Sequence, residues 1–177
     1  MQISDLSKHV GEEIELKGWV SNKRTGKGLA FIILRDGSGF IQCVIDEANV
    51  SKETMDVAQG ISLESSVIIK GNVVKDDRQI GGVEISASAF ELISRSEEYP
   101  ISKKEHGVEF LMENRHLWLR SKKQWANMRI RNAIIFAMHR YFQENGFVQM
   151  DAPIFTGNAC EGTTTLFATE YYGEEAY

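Results

Sequence analysis

Cysteine and proline are both scarce, at two residues each in 177. Cys43 lies in an apolar, strand-like run and Cys160 in loop-like sequence, and neither has neighbours at metal-ligand spacing. A disulfide scaffold is therefore excluded, and a cytosolic protein with reduced thiols is expected. No apolar run approaches the roughly 20 residues that a membrane-spanning helix needs, so no membrane partner is expected. The opening Met1-Gln2-Ile3-Ser4-Asp5 lacks the basic and apolar profile of a secretory leader. A basic excess is missing too. Lys and Arg number 20 against 25 Asp and Glu, for a formal charge of -5. Bulk charge thus gives no support for nucleic-acid binding, and only a local basic patch could supply that attraction. What is present is ordinary for a globular chain, with 42% hydrophobic and 25% charged residues. The length suits one domain, or one and a half.

The first half is organised around Phe31-Ile32-Ile33-Leu34-Arg35 and Phe40-Ile41-Gln42-Cys43-Val44-Ile45. Both arms are rich in β-branched and aromatic residues, and Asp36-Gly37-Ser38-Gly39 between them suits a hairpin turn. Side chains two apart share a face. With Ile32, Leu34, Ile41, Cys43 and Ile45 inward, Phe31 and Gln42 point outward on neighbouring strands. An outward aromatic and amide can stack on a planar base and hydrogen-bond its edge. The same pattern also fits a surface Phe beside a solvated Gln.

Around this hairpin, residues 12–22 read as a first strand with Ile14, Leu16 and Val20 inward. Trp19 falls on the opposite register, which requires a bulge or partial cover. The basic, glycine-rich stretch 23–28 reads as a turn, or as a carrier of positive charge beside Phe31. Residues 51–60 have helical spacing with Ser51 as the cap. Two further strands run through 65–75 and 83–93, the latter with Val83, Ile85 and Ala87 on one face and Glu84 and Ser86 on the other. Three strands, a short helix and two strands in about 90 residues fit an all-β five-stranded OB-fold barrel over residues 1–94, although other small antiparallel folds share the count.

Residues 95–114 show no sustained periodicity and read as a hinge carrying Pro100. Residues 121–145 form the strongest helical pattern in the chain. Ala126, Ile130, Ala133, Ala137 and Tyr141 share a face, Ser121 caps the start and Gly146 the stop. Met128, Ile135, Met138 and Phe142 widen the apolar surface beyond one stripe, as in a core buried from two sides or a subunit interface. A short strand over 147–151 is expected to end at Pro153. The loop 154–162 carries one carboxylate, Glu161. Residues 166–169 and 171–177 read as a hairpin. One helix and a few strands cannot close a second core, so residues 115–177 are expected to be the start of a larger α+β domain.

In this order, the residues resemble the class IIb aminoacyl-tRNA synthetases, which load aspartate, asparagine or lysine onto tRNA. Gly18-Trp19-Val20, Phe31, Leu34-Arg35-Asp36, Gly39 and Gln42 match the anticodon-binding barrel. The long helix and Pro153 match motif 1 of the class II catalytic domain, and Glu161-Gly162-Thr163-Thr164-Thr165-Leu166-Phe167 with Tyr172-Gly173-Glu174-Glu175-Ala176-Tyr177 is most similar to the asparagine-specific members. The resemblance implies roles for individual residues. Phe31 would stack on the middle anticodon base, a uridine, and Gln42 would hydrogen-bond it. Glu84 would read the first anticodon position, and Arg24 would lie near the anticodon backbone. Glu161 would bind the α-ammonium of the amino acid. Ile130, Ala133, Ala137, Tyr141 and Pro153 would belong to a homodimer interface.

The implied partners are tRNA(Asn), asparagine and ATP, with Mg2+ as the metal of the whole enzyme. Motifs 2 and 3, which hold ATP and magnesium in the family, are not in these residues. No catalytic residue or metal ligand can therefore be named here, and the 177 residues alone are expected to be inactive and to bind neither cofactor tightly. An aspartate-specific synthetase shares the logic of Phe31 and Gln42. A non-catalytic OB-fold nucleic-acid-binding protein would share the barrel, but not the long helix, Pro153 and the Glu161 loop.

Overall fold

Strict alternation dictates the first unit. A computed structural model describes residues 1–102, 104–157 and 166–177, and these divide into two units, Met1–Gly107 and Val108–Tyr177. In the first, β1 (Glu13–Gly26), β2 (Leu29–Arg35), β3 (Phe40–Asp46), β4 (Ser66–Lys75) and β5 (Val83–Ser94) form a closed barrel in the order β1-β2-β3-β5-β4. Every pairing is antiparallel except that of β3 with β5. Closure leaves no sheet edge unpaired. The inward positions Leu16, Val20, Ile32, Leu34, Cys43, Ile45, Val67, Ile69 and Ile85 are all buried, as the period-2 pattern demands.

Two smaller elements plug this core. A 3-10 turn over Ile3–Lys8 buries Ile3 and Leu6. The helix α1 (Lys52–Gly60) buries Met55 and Ala58, with the Ser51 hydroxyl accepting a bond from the Thr54 amide. Asp36 organises the β2–β3 turn. Its Oδ1 accepts from the amides of Ser38 and Gly39 at 2.7 and 2.9 Å, and its Oδ2 from the amide of Ile3 at 2.9 Å. One carboxylate thus ties the turn to the amino-terminal segment. Partial burial is the largest influence on Asp36 and raises its pKa, yet the bonds from Ile3, Ser38 and Gly39 together hold it below its ordinary value.

The β1–β2 join differs from the expected turn at 23–28. Lys23, Arg24, Thr25 and Gly26 continue β1 and pair with Ile32, Phe31, Ala30 and Leu29. Only Lys27 and Gly28 turn the chain. Gly28 takes φ +72°, and a Cβ there would stand 2.6 Å from the Glu47 carboxylate. A two-residue loop with glycine at positive φ lets the ladder run to its end. Trp19 is accommodated without inversion of the strand. It stays 45% exposed, and the pairing slips after it, between Val20 and Asn22.

A buried ion pair braces the far end of β2, where Arg35 lies opposite Trp19. Arg35 donates to both carboxylate oxygens of Glu64 at 2.6 and 2.8 Å, with the two side chains 11% and 5% exposed. The Arg35 guanidinium also lies 5.8 Å from the centre of the Trp19 ring. Glu64 adopts φ +65°, so the backbone accepts a left-handed residue to present this carboxylate. The exit from the barrel is clasped nearby. The Ser62 hydroxyl donates to the Ser96 carbonyl, and the Ser96 amide donates to the Ser65 hydroxyl.

In the second unit, α2 (Val108–Glu113) and α3 (Arg115–Trp118) precede α4 (Lys122–Glu144). The helix α2 falls within residues 95–114, where irregular chain was expected. The spacing of Val108, Leu111 and Met112 is helical, but the run is too short for periodicity to reveal. Both ends of α4 obey local rules. The Ser121 hydroxyl accepts from the Gln124 amide. Gly146 takes φ +82°, its amide donates to Gln143 and that of Phe147 to Phe142. The Phe142 and Phe147 rings meet edge to face at 5.3 Å. This is a Schellman stop with its apolar contact.

Two expectations fail in this unit, and one of the two readings left open for the long helix is not met. Residues 147–151 form no strand, for no strand among the described residues pairs with them. The terminal hairpin is shorter than expected, β6 (Thr169–Tyr171) against β7 (Glu174–Ala176). Nor is α4 buried from two sides. No residue on it is buried, and Ile130, Phe136 and Tyr141 are each at least 60% exposed. Cys160 and Glu161 lie outside the described residues.

Candidate nucleic-acid interface

The outward face of β2, β3 and β5 collects the residues singled out in the barrel. Phe31 sits opposite Val44, and Gln42 opposite Ile33. Phe31 and Gln42 are thus diagonal neighbours on adjacent strands, within reach of an aromatic and a long side chain. The parallel pairing of Cys43 with Ile85 and of Val44 with Ser86 brings Glu84 beside Gln42. The Gln42 Nε2 donates to the Glu84 Oε2 at 2.9 Å. Phe31, Gln42 and Glu84 are all half-buried, so each is held by the sheet yet reaches its surface.

Arg24 joins them from β1. It is the cross-strand partner of Phe31, and its guanidinium lies over the Phe31 ring, 4.6 Å from the centre. A cation over an aromatic face is attracted to the ring quadrupole. Of the two readings of residues 23–28, positive charge beside Phe31 is the one met, and the extension of β1 to Gly26 is what sets Arg24 across from that ring. Lys23, the next basic residue, is turned away and donates to the Gln59 carbonyl at 2.8 Å. Arg78, in the β4–β5 turn, is held mainly by its hydrogen bonds to Asp76, which with Asp76 charge and a smaller contribution from Glu84 raise its pKa. Behind the face, burial and then the Glu84 charge push the Cys43 thiol well above its ordinary range. Cys43 is therefore an inert core residue rather than a nucleophile.

The arrangement offers an aromatic plane, an amide with an N–H and a C=O side by side, an acceptor-only carboxylate and a mobile-length cation. It can stack a planar ring and read its edge. Two features escaped sequence reasoning. The bond between Gln42 and Glu84 joins residues 42 positions apart, and only the crossover that sets β5 beside β3 makes them neighbours. The pair of Arg35 and Glu64 likewise depends on a loop that carries no local signal.

Residues 14–93 match the OB-fold nucleic acid binding domain, and residues 107–177 match the tRNA synthetases class II (D, K and N). This second match is to the D, K and N group of the class II tRNA synthetases. Within that group it is similar to the asparagine–tRNA ligase of Sorangium cellulosum, 49% identical over 175 residues that cover 98% of this chain and 39% of that protein. It is 51% identical to the asparagine–tRNA ligase of Chloroflexus aurantiacus over 170 residues, again covering 39% of the relative. Among solved structures, asparaginyl-tRNA synthetase from Pyrococcus horikoshii complexed with asparaginyl-adenylate superposes with a TM-score of 0.89 at 30% identity, covering all of this chain and 42% of that one. The chain spans about 40% of the length of the curated relatives it matches. Its architecture is an OB-fold barrel followed by the start of a class II catalytic domain.

Proposed function

We propose that this chain is the amino-terminal part of an asparagine–tRNA ligase and that its barrel selects tRNA(Asn) by reading the anticodon. The observation that carries the reading is the outward set of Phe31, Gln42 and Glu84 on three adjoining strands, in a chain about half identical to asparagine–tRNA ligases over nearly its whole length. Phe31 supplies the stacking plane for the middle uridine, and Gln42 reads that base by its edge. Glu84 contacts the first anticodon base. Arg24 has two positions within its reach, over Phe31 in the free protein and on the anticodon backbone in the complex.

The whole enzyme would join asparagine to tRNA through an aminoacyl-adenylate, at the expense of ATP and with Mg2+. Among the described residues no group of three or more His, Cys, Asp and Glu side chains could hold a metal ion. Motifs 2 and 3, which hold ATP and magnesium in the family, are assigned to the part of the enzyme beyond this chain's match, and no chemical step is derived from these residues. Glu161 remains the candidate for the asparagine ammonium. The exposed apolar side chains of α4, with Ile130, Ala133, Ala137, Tyr141 and Pro153, support a homodimer interface, since burial there would remove surface worth roughly 25 cal/mol per Å². No helix among the described residues is long and apolar enough to cross a membrane, and the cytoplasm is the proposed location.

Titration of asparagine-type anticodon stem-loops into the 177-residue chain tests the reading. Stacking on an aromatic side chain is worth about 1–3 kcal/mol per base, so Phe31→Ala should weaken binding by that amount. Gln42→Ala should lower the preference for uridine at the middle position more than it lowers affinity in general. Equal binding of stem-loops with any middle base by the unaltered protein would refute the assignment.

A further inference from the structure

We infer that Glu84 is a specificity-determining positioning residue, which locks the orientation of the Gln42 amide and thereby makes the middle-base site choose uracil over cytosine. The inference rests on the anticodon reading above and assigns Glu84 a role beyond its contact with the first base.

A primary amide is nearly symmetric in shape and opposite in chemistry at its two ends. One end donates and the other accepts, and a rotation of half a turn exchanges them. A glutamine free to rotate can therefore satisfy either of two base edges. Uracil presents N3–H as a donor, flanked by carbonyl acceptors. Cytosine presents N3 as an acceptor beside an amino donor. With the ring held in one position by stacking on Phe31, uracil needs the amide oxygen opposite N3, whereas cytosine needs the amide nitrogen there. The order of the two amide atoms decides between the bases.

In this barrel the order is set. The carboxylate of Glu84 accepts hydrogen bonds and cannot donate them, so the Gln42 end that faces it is the NH2 group. The separation of 2.9 Å from Nε2 to Oε2 is that of a charge-assisted bond. Reversing the amide would break this bond and set the amide oxygen against a negatively charged oxygen. Among the described residues the Gln42 side chain makes no other hydrogen bond, so Glu84 alone imposes the choice. The bond leaves the second N–H and the carbonyl oxygen of Gln42 for a base in one fixed order, which uracil matches with its N3–H toward the carbonyl oxygen. The backbone holds the partners in place, because β3 and β5 are paired at the adjoining positions, Cys43 with Ile85 and Val44 with Ser86.

The test compares the 177-residue protein with its Glu84→Gln and Gln42→Ala variants. The probes are two synthetic RNA stem-loops that differ only in U or C at the middle loop position, and fluorescence anisotropy measures affinity for each. Glu84→Gln keeps the size and hydrogen-bonding reach of the side chain but can donate as well as accept, so it supports both orientations of Gln42. Any contact of residue 84 with the first anticodon base is common to the two probes and cancels in their ratio. The unaltered protein should prefer the U probe by about 5- to 150-fold, as a good bidentate pair discriminates. Glu84→Gln should bring that ratio to within about threefold of unity, chiefly by tighter binding of the C probe. A simple loss of structure would instead weaken both probes together and leave the ratio unchanged. If Gln42→Ala abolishes the preference while Glu84→Gln retains it, the lock is refuted and the anticodon reading stands. If the unaltered protein binds neither probe, or both equally, the anticodon reading fails and the lock fails with it.

Discussion

Replacing Arg35 by methionine should destabilise the barrel far more than the loss of one surface charge would. The side chain keeps most of its length but loses both bonds to Glu64, at 2.6 and 2.8 Å. The carboxylate it abandons belongs to a side chain only 5% exposed, so water cannot take the place of the guanidinium. Removing one partner of a buried pair costs about 3–5 kcal/mol, or roughly 150- to 5,000-fold in an opening equilibrium. Glu64→Gly should cost less. It removes the charge together with the strain of φ +65°, worth roughly 1–2 kcal/mol for a residue with a side chain, and it leaves Arg35 close to the half-exposed Trp19 ring. The double variant, Arg35→Met with Glu64→Gly, should be more stable than Arg35→Met alone. Hydrogen exchange at the amides of Val20 and Ile69 reads the barrel without interference from the second unit, because Val20 and Ile69 belong to β1 and β4. A fall in protection of less than about tenfold in Arg35→Met would refute the reasoning, since exposed pairs typically contribute under about 1 kcal/mol. So would a double variant as damaged as Arg35→Met.

Asp36 should give the barrel an acid-sensitive contribution. Its folded pKa lies below its ordinary value of 3.8, so the stability it adds is complete above that value and is lost as pH falls through the folded one. The stability difference between the protein and its Asp36→Asn variant should accordingly be constant near neutrality and shrink in acid, as followed by urea unfolding at a series of pH values; a difference that held its size in acid would count against the three amide bonds as its source. The 177-residue polypeptide should catalyse no ATP–pyrophosphate exchange with asparagine and magnesium, because it spans only about 40% of its curated relatives. Exchange above background that copurifies with the chain through successive columns would overturn that expectation.

The barrel was legible because its information is local. Alternation identified the inward residues of β2 and β3 one by one, and the same parity turned Phe31 and Gln42 outward. Caps worked for the same reason, since Ser51 and Ser121 each bond an amide three residues ahead. The failures share a physical cause. Where β1 ends depends on what pairs with it, and a basic, glycine-bearing stretch with no alternation of its own continues as strand because residues 29–32 lie across from it. Conversely, residues 147–151 have a strand-like composition but no partner strand among the described residues, and composition without pairing leaves the backbone irregular. Amphipathicity on α4 announced a need for burial without specifying what would meet it.

The same distinction separates the two kinds of site information in this chain. Residue types that touch a base must stand on an outward strand position, and parity exposes them to sequence reading. Residues that orient those side chains need only be near in space. Glu84 lies on the correct face of its strand, which parity could show, but its contact with Gln42 follows from the parallel pairing of β3 with β5, which passes over the whole of α1 and β4 in sequence. Selectivity between two pyrimidines of nearly equal shape cannot come from Phe31, because stacking is tolerant of base identity. It has to come from the order of donor and acceptor at the edge. A lone glutamine cannot fix that order, since rotation of its amide reverses it. Under the proposed anticodon reading, discrimination therefore resides in the pair of Gln42 and Glu84 rather than in either residue, and that pair exists only once the barrel has closed.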